Sequence, residues 1–174
     1  MGRAAVRTAI QSYIQGLGVN YLGTVHPARP TILQEADYEQ TMAGKATAAS
    51  DNGSACVAVV NIPSDLRQRR ADTGRGAVND SNIHQIALEL FFASTGGDAV
   101  AAQEDYDSIV DALFIGIRAN ATPGGASVVW SAGEFQAGVA HNQTEPYTSD
   151  DGLTILINGV IRFEAWEWIK GTGV

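Results

Sequence analysis

Residues 83–92 read IHQIALELFF, and residues 98–118 read DAVAAQEDYDSIVDALFIGIR. In the first stretch Ile86, Leu88, Leu90 and Phe92 alternate with Ala87, Glu89 and Phe91, the two-residue period of a strand. Ala87 and Phe91 make the second face apolar as well, so both faces of this strand are expected to be covered. In the second stretch Tyr106, Ile109, Val110, Leu113 and Ile117 fall on one stripe of a 3.6-residue period, which predicts a helix. Asp98, Glu104, Asp105 and Asp107 lie in its N-terminal half and Arg118 at its C-terminal end, the signs that the helix dipole favours. Glu104, Asp105 and Asp107 fall outside the apolar stripe and read as a solvated face rather than as paired catalytic carboxylates.

Working outward, Val6, Ile10, Tyr13, Ile14 and Leu17 predict a short N-terminal helix stopped by Gly16 and Gly18. Val19 to Leu22 reads as a strand, broken by His26-Pro27 and Arg29-Pro30. Ile32 to Met42 reads as partial helix or loop, and Ala43 to Ser54 as loop. Ala55 to Ile62 (ACVAVVNI) predicts a strand ended by Pro63. Asp65 to Asn79 reads as a basic loop or a hairpin tip. After the 98–118 helix, Pro123-Gly124-Gly125 marks an exit, Ser127 to Trp130 a short strand, and Glu134 to Asp151 a long polar connection, a length that is often functional. Leu153 to Ile169 closes the chain as one bulged strand or as two strands around Asn158-Gly159. The order predicts one α+β domain over residues 1–174: a mixed or mostly antiparallel sheet, helices packed on one face, and long loops at about 26–54, 63–80 and 131–152.

The chain has 174 residues, enough to bury a core without metal or disulfide staples. Its 19 acidic and 11 basic residues give a net charge of -8, which argues against a protein whose main task is gripping duplex nucleic acid. The first 17 residues do not read as a signal peptide, and no stretch is apolar enough to span a bilayer, so the expectation is a soluble chain made in the cytoplasm.

Chemistry-bearing residues are scattered. His26, His84 and His141 stand in unlike contexts, without HxxxH, HxH or CxxC spacing, so no metal site is expected. Cys56, the lone cysteine, sits among Ala and Val and reads as a small buried apolar residue. There is no GxSxG elbow, and neither Gly74-Arg75-Gly76-Ala77 nor Gly124-Gly125 has the flanks of a phosphate loop. The expectation is therefore no catalytic residue and no cofactor.

Two features remain. Arg67, Arg69, Arg70 and Arg75 concentrate positive charge in an otherwise acidic chain. Such a segment suits phosphates passing nearby, an acidic surface on a neighbouring subunit, or plain solvent. Near the C-terminus Ile161, Phe163 and Ala165 share one strand face, and Arg162, Glu164, Trp166 and Trp168 the other. Trp and Arg are enriched at the centres of protein interfaces, so this face reads either as an interface or as a partly covered sheet face inside the monomer.

The layout as a whole resembles the tail terminator (tail completion, minor tail) proteins of long-tailed bacteriophages. The likeness runs over Arg3 to Ile169: an N-terminal helix, a strand, an Arg-bearing loop, IALELFF, the helix DYDSIVDALFIGIRAN, a Gly/Pro break, and a last strand ending RFEAWEWI. The resemblance implies a structural virion protein rather than an enzyme. It implies a hexameric ring on the head-proximal end of the tail tube that stops tube polymerisation and offers a surface to head-side neck or head-closure proteins. The partners it implies are other copies of the chain, the tail tube protein and that neck protein. Genome DNA would pass through the lumen without sequence-specific binding, at the tail–neck junction of the virion. Arg67, Arg69, Arg70, Arg75, Trp166 and Trp168 are the expected subunit, tube or lumen contacts. The alternatives are a head-closure or neck connector, a small enzyme with substrate between the 134–151 connection and the sheet, and a nucleic-acid-binding module using the arginines.

Overall fold

The computed structural model describes residues 2–34, 37, 53–71, 78–95, 98–119, 122–125, 131–133, 138–150 and 152–170, with backbone only at 67–71, 78–81, 131–133 and 168–170. The fold is α+β, with the helices packed against a mostly antiparallel sheet. The elements are α1 (Arg3–Gly16), β1 (Leu22–His26), β2 (Ser54–Ala71), β3 (Val78–Thr95), α2 (Ala99–Ala119), β4 (Ser131–Gly133), β5 (Ala140–Gln143), β6 (Tyr147–Thr148) and β7 (Thr154–Lys170). All strands belong to one sheet of order β1-β2-β3-β7-β4, with β5 and β6 also on β7. Only the β1–β2 pairing is parallel.

One face of the sheet carries Cys56, Ala58 and Val60 from β2, Ile86, Leu88, Leu90 and Phe92 from β3, and Ile157, Ile161 and Phe163 from β7. Against it pack Val6, Ile10 and Ile14 of α1 and Tyr106, Ile109, Leu113 and Ile117 of α2. Phe92 meets Tyr106 edge to face, with centroids 5.6 Å apart, a geometry worth about 0.5–1.5 kcal/mol beyond burial. The helices cross closely at Gly116, where a Cβ would run into Leu17 and where the Tyr13 hydroxyl donates to the Gly116 carbonyl (2.7 Å).

Local chemistry fixes the element ends. Asp98 caps α2, its Oδ1 accepting from the N–H groups of Val100 (3.0 Å) and Ala101 (3.2 Å). Gln15 of α1 clamps the free edge of β1: its amide donates to the Gly23 carbonyl (3.1 Å) and its Oε1 accepts from the Val25 N–H (2.7 Å).

The structure corrects several boundaries. β1 begins at Leu22, because Tyr21 holds a left-handed backbone (φ 61) that ends the turn after α1. Pro63 does not end β2. It falls where the register shifts between Asn61 and Ser64, a bulge at which the missing N–H costs the ladder nothing, and the strand runs on to Ala71. The expected 63–80 loop is therefore the two paired ends of β2 and β3, with residues 72–77 outside the described set. The expected 131–152 loop holds β4, β5 and β6, each too short to show a period. The strand expected at 127–130 lies outside the described residues, as does nearly all of the 38–54 stretch. β7 is one unbroken strand, with Gly159 paired to Leu90 and no turn at Asn158-Gly159.

Candidate interaction surface

β2, β3 and β7 are 18, 18 and 17 residues long. At about 3.3 Å per residue each has a contour near 60 Å, whereas the 21 residues of α2 span only about 30 Å. The sheet outruns the helices that cover it. Among the described residues the apolar core ends at Ile62, Ile86 and Ala165. Beyond it, pairing continues from Leu66↔Ile83 to Ala71↔Val78 and, on the other side of β3, out to Asn79↔Lys170. The result is a three-stranded arm.

A buried polar cluster stands at the root of the arm. His84 Nε2 lies 3.1 Å from Glu167 Oε2, and the Asn82 amide donates to the same oxygen at 3.3 Å. Both His84 and Glu167 are 1% exposed. Burial pushes the Glu167 carboxyl up, but hydrogen bonds, those from His84 and Asn82 among them, outweigh it and hold the group below its ordinary value. The His84 Nδ1 is buried without a hydrogen-bond partner among the described residues. This cluster holds β3 to β7 where the apolar core gives out. Arg3 braces β2 beside it, its guanidinium 2.8 Å from Asp65 and 3.3 Å from the Ile62 carbonyl.

The two edges of the sheet differ. β7 is covered by β6 at Ile155–Leu156, by β5 at Gly159–Arg162 and by β4 at Glu164–Trp166. β1 covers β2 only as far as Val59. From Val60 to Ala71 no strand among the described residues pairs with the outer edge of β2. Pro63, Ser64, Asp65 and Leu66 are exposed there.

Arg67, Arg69 and Arg70 all lie on this open strand, opposite Asn82, Asp80 and Asn79. They belong to a paired strand rather than to a loop. Arg75 lies outside the described residues. Trp166 pairs with Ile83 and Ser131, on the face away from the helices, half-buried, with its Nε1 3.5 Å from Glu164 Oε2. Trp168 pairs with Ser81 along the arm, where only the backbone is described. The structure thus brings three of the arginines onto one strand edge and puts Trp166 two strands away, across β3.

The face away from the helices also carries a cleft of about 400 Å³. Arg29, Phe91, Asn142, Gln143, Asn158 and Val160 are among the residues that line it. Arg29 stacks over Phe91 at 5.8 Å from the ring centroid, and Glu89 accepts from Asn61 at 3.3 Å. Here residues 142–144 of the long polar connection meet the sheet, and the described lining side chains form no nucleophile–base pair. Burial pushes the Cys56 thiol up to about 12, which makes it a packing group rather than a nucleophile. No cluster of three or more His, Cys, Asp or Glu that could hold a metal ion occurs among the described residues. None of their helices is long and apolar enough to cross a membrane.

Sequence reasoning missed the His84–Glu167 cluster and the open β2 edge. The cluster had one signal, an acid at 167 in step with the apolar positions 161, 163 and 165. The edge had none, since which strand pairs with which is not local information. No family model matches this chain, and no curated protein does.

Proposed function

We propose that this chain is a structural virion protein that caps the head-proximal end of a bacteriophage tail tube as a ring of six copies, ends tube polymerisation and presents the surface for head–tail joining. One observation supports it most. The three long strands extend past the helix-covered core, and the outer edge of β2 is open from Val60 to Ala71 among the described residues. An open, charged strand edge of that length is a surface for another chain.

A ring needs two different patches on each copy, related by a rotation that closes. The arm supplies one patch. The acidic balance of the chain suits a lumen through which DNA slides without being held. The partners are other copies, the tube protein below and a neck protein above.

The experiment is to add the purified chain to polymerising tube protein of the same phage and measure tube length. Capping shortens the tubes in proportion to the added chain. Unchanged lengths, with binding to portal-bearing capsids instead, move the protein to the head side of the neck.

A further inference from the structure

We infer that copies of this chain join head to tail, with the tip of one arm, residues 72–77, seated in the cleft of the next copy. The inference rests on the ring reading above and names the contact that makes the ring.

The cleft holds two opposite charges that do not neutralise each other. Arg29 is exposed at one wall and makes no ion pair or hydrogen bond among the described residues. Glu89 is half-buried, makes no ion pair among them either, and takes one hydrogen bond, from Asn61. Phe91 and Val160, both half-buried, give the cleft an apolar floor. Such a cleft suits a slender segment that itself carries one acid and one base. A phosphate would meet Glu89 as well as Arg29, which disfavours nucleic acid as the occupant.

The chain carries such a segment. Residues 72–77 read Asp-Thr-Gly-Arg-Gly-Ala. They lie outside the described residues and join the paired ends of β2 and β3 at Ala71 and Val78. Asp72 and Arg75 are their one acid and one base, and Gly74 and Gly76 leave the chain on either side of Arg75 without a side chain. Asp72 against Arg29 and Arg75 against Glu89 bring opposite signs together twice.

The tip is out of reach of the cleft in its own copy. From Val78 to Glu89, β3 advances about 36 Å at about 3.3 Å per residue. Residues 72–77 fully extended span about 20 Å, so a tip anchored at both Ala71 and Val78 reaches only about 10 Å from its anchors. The occupant must therefore be the tip of a second copy. Tip and cleft are different patches, so the contact is heterologous, and repeating it gives a closed ring or a filament.

The test uses two chains, Arg29→Asp and Asp72→Arg. Position 29 is exposed and position 72 follows the last paired residue of β2, and circular dichroism checks that each chain folds. Sedimentation velocity at low ionic strength is expected to show wild type associating, less so as salt rises. Each variant alone is expected to associate at least about tenfold more weakly, since like charges then meet in every cleft. An equimolar mixture is expected to recover, because alternating copies pair opposite charges at every junction. A cross-link reads the contact itself. Gly74→Cys and Thr144→Cys chains, mixed and oxidised, are expected to give far more disulfide dimer than either chain alone, the native Cys56 being buried. A monomeric wild type at low salt up to its solubility limit, variants that associate like wild type, a mixture that does not recover, or a cross-link no stronger in the mixture overturns the inference. Copies that join this way but leave tube ends bare sink the capping reading alone. Caps that survive both substitutions sink only this contact.

Discussion

The Tyr106 hydroxyl lies 2.9 Å from Nε2 of His141, directly over the backbone of Gly159. Tyr106 comes from α2, His141 from β5 and Gly159 from β7, so one contact ties the helix to the strand that covers the β7 edge. A Cβ at Gly159 would run into the Tyr106 hydroxyl and press on His141. The backbone there is ordinary strand, so glycine is required for space and not for conformation. Gly159→Ala is expected to destabilise the fold by about 1–3 kcal/mol, the usual cost of overpacking. The combination with Tyr106→Phe, which removes the obstructing oxygen, should recover part of that loss. Urea unfolding midpoints of the two variants check this.

Acid should weaken the protein in two stages. Burial holds the His141 imidazole below its ordinary 6.5, with Asp107 opposing in part. The unfolded chain then binds more protons than the folded one between the two values, so stability rises with pH across that window. On acidification, stability begins to fall near pH 6.5 and keeps falling through the lowered folded value. Urea midpoints between pH 7.5 and 5 measure the slope, and His141→Gln should flatten it.

Glu167 governs the second stage. Its folded value lies below its ordinary 4.5, so the stability it contributes is present above that value. It is lost as pH falls through the lowered one. Removing one partner of a buried pair typically costs about 3–5 kcal/mol, whereas replacing both by apolar groups costs far less. Glu167→Ala is expected in the former range, and His84→Leu/Glu167→Leu to be clearly milder. Thermal unfolding of the three chains decides it.

Asp98→Ala removes the cap that satisfies two N–H groups at the start of α2. The expected loss is about 0.5–2 kcal/mol, and Asp98→Asn or Asp98→Ser should restore most of it. Thermal unfolding measures both.

The parts of the fold legible in the sequence were those with a period. The alternation of residues 86–92 and the stripe from Tyr106 to Ile117 placed β3 and α2, because both bury one apolar face in the same core. The arm was illegible for the opposite reason. Past Ile62 and Ile86 the apolar core gives out among the described residues, and Arg67, Gln68 and Asn79 carry no apolar alternation in sequence, so the segment reads as a loop or a hairpin tip. Asn158-Gly159 misled because the dipeptide is a turn signal only where the chain turns. Here the glycine makes room for Tyr106. The arginines stood out by composition, but their common strand edge depends on where β1 stops, which only the pairing reveals.

The most direct test is electron microscopy of the purified chain mixed with tail tubes of its own phage. The account predicts density at one end of each tube only, with six-fold symmetry in end-on views. Tubes with bare ends beside free chain, or chain bound along their sides, would contradict it.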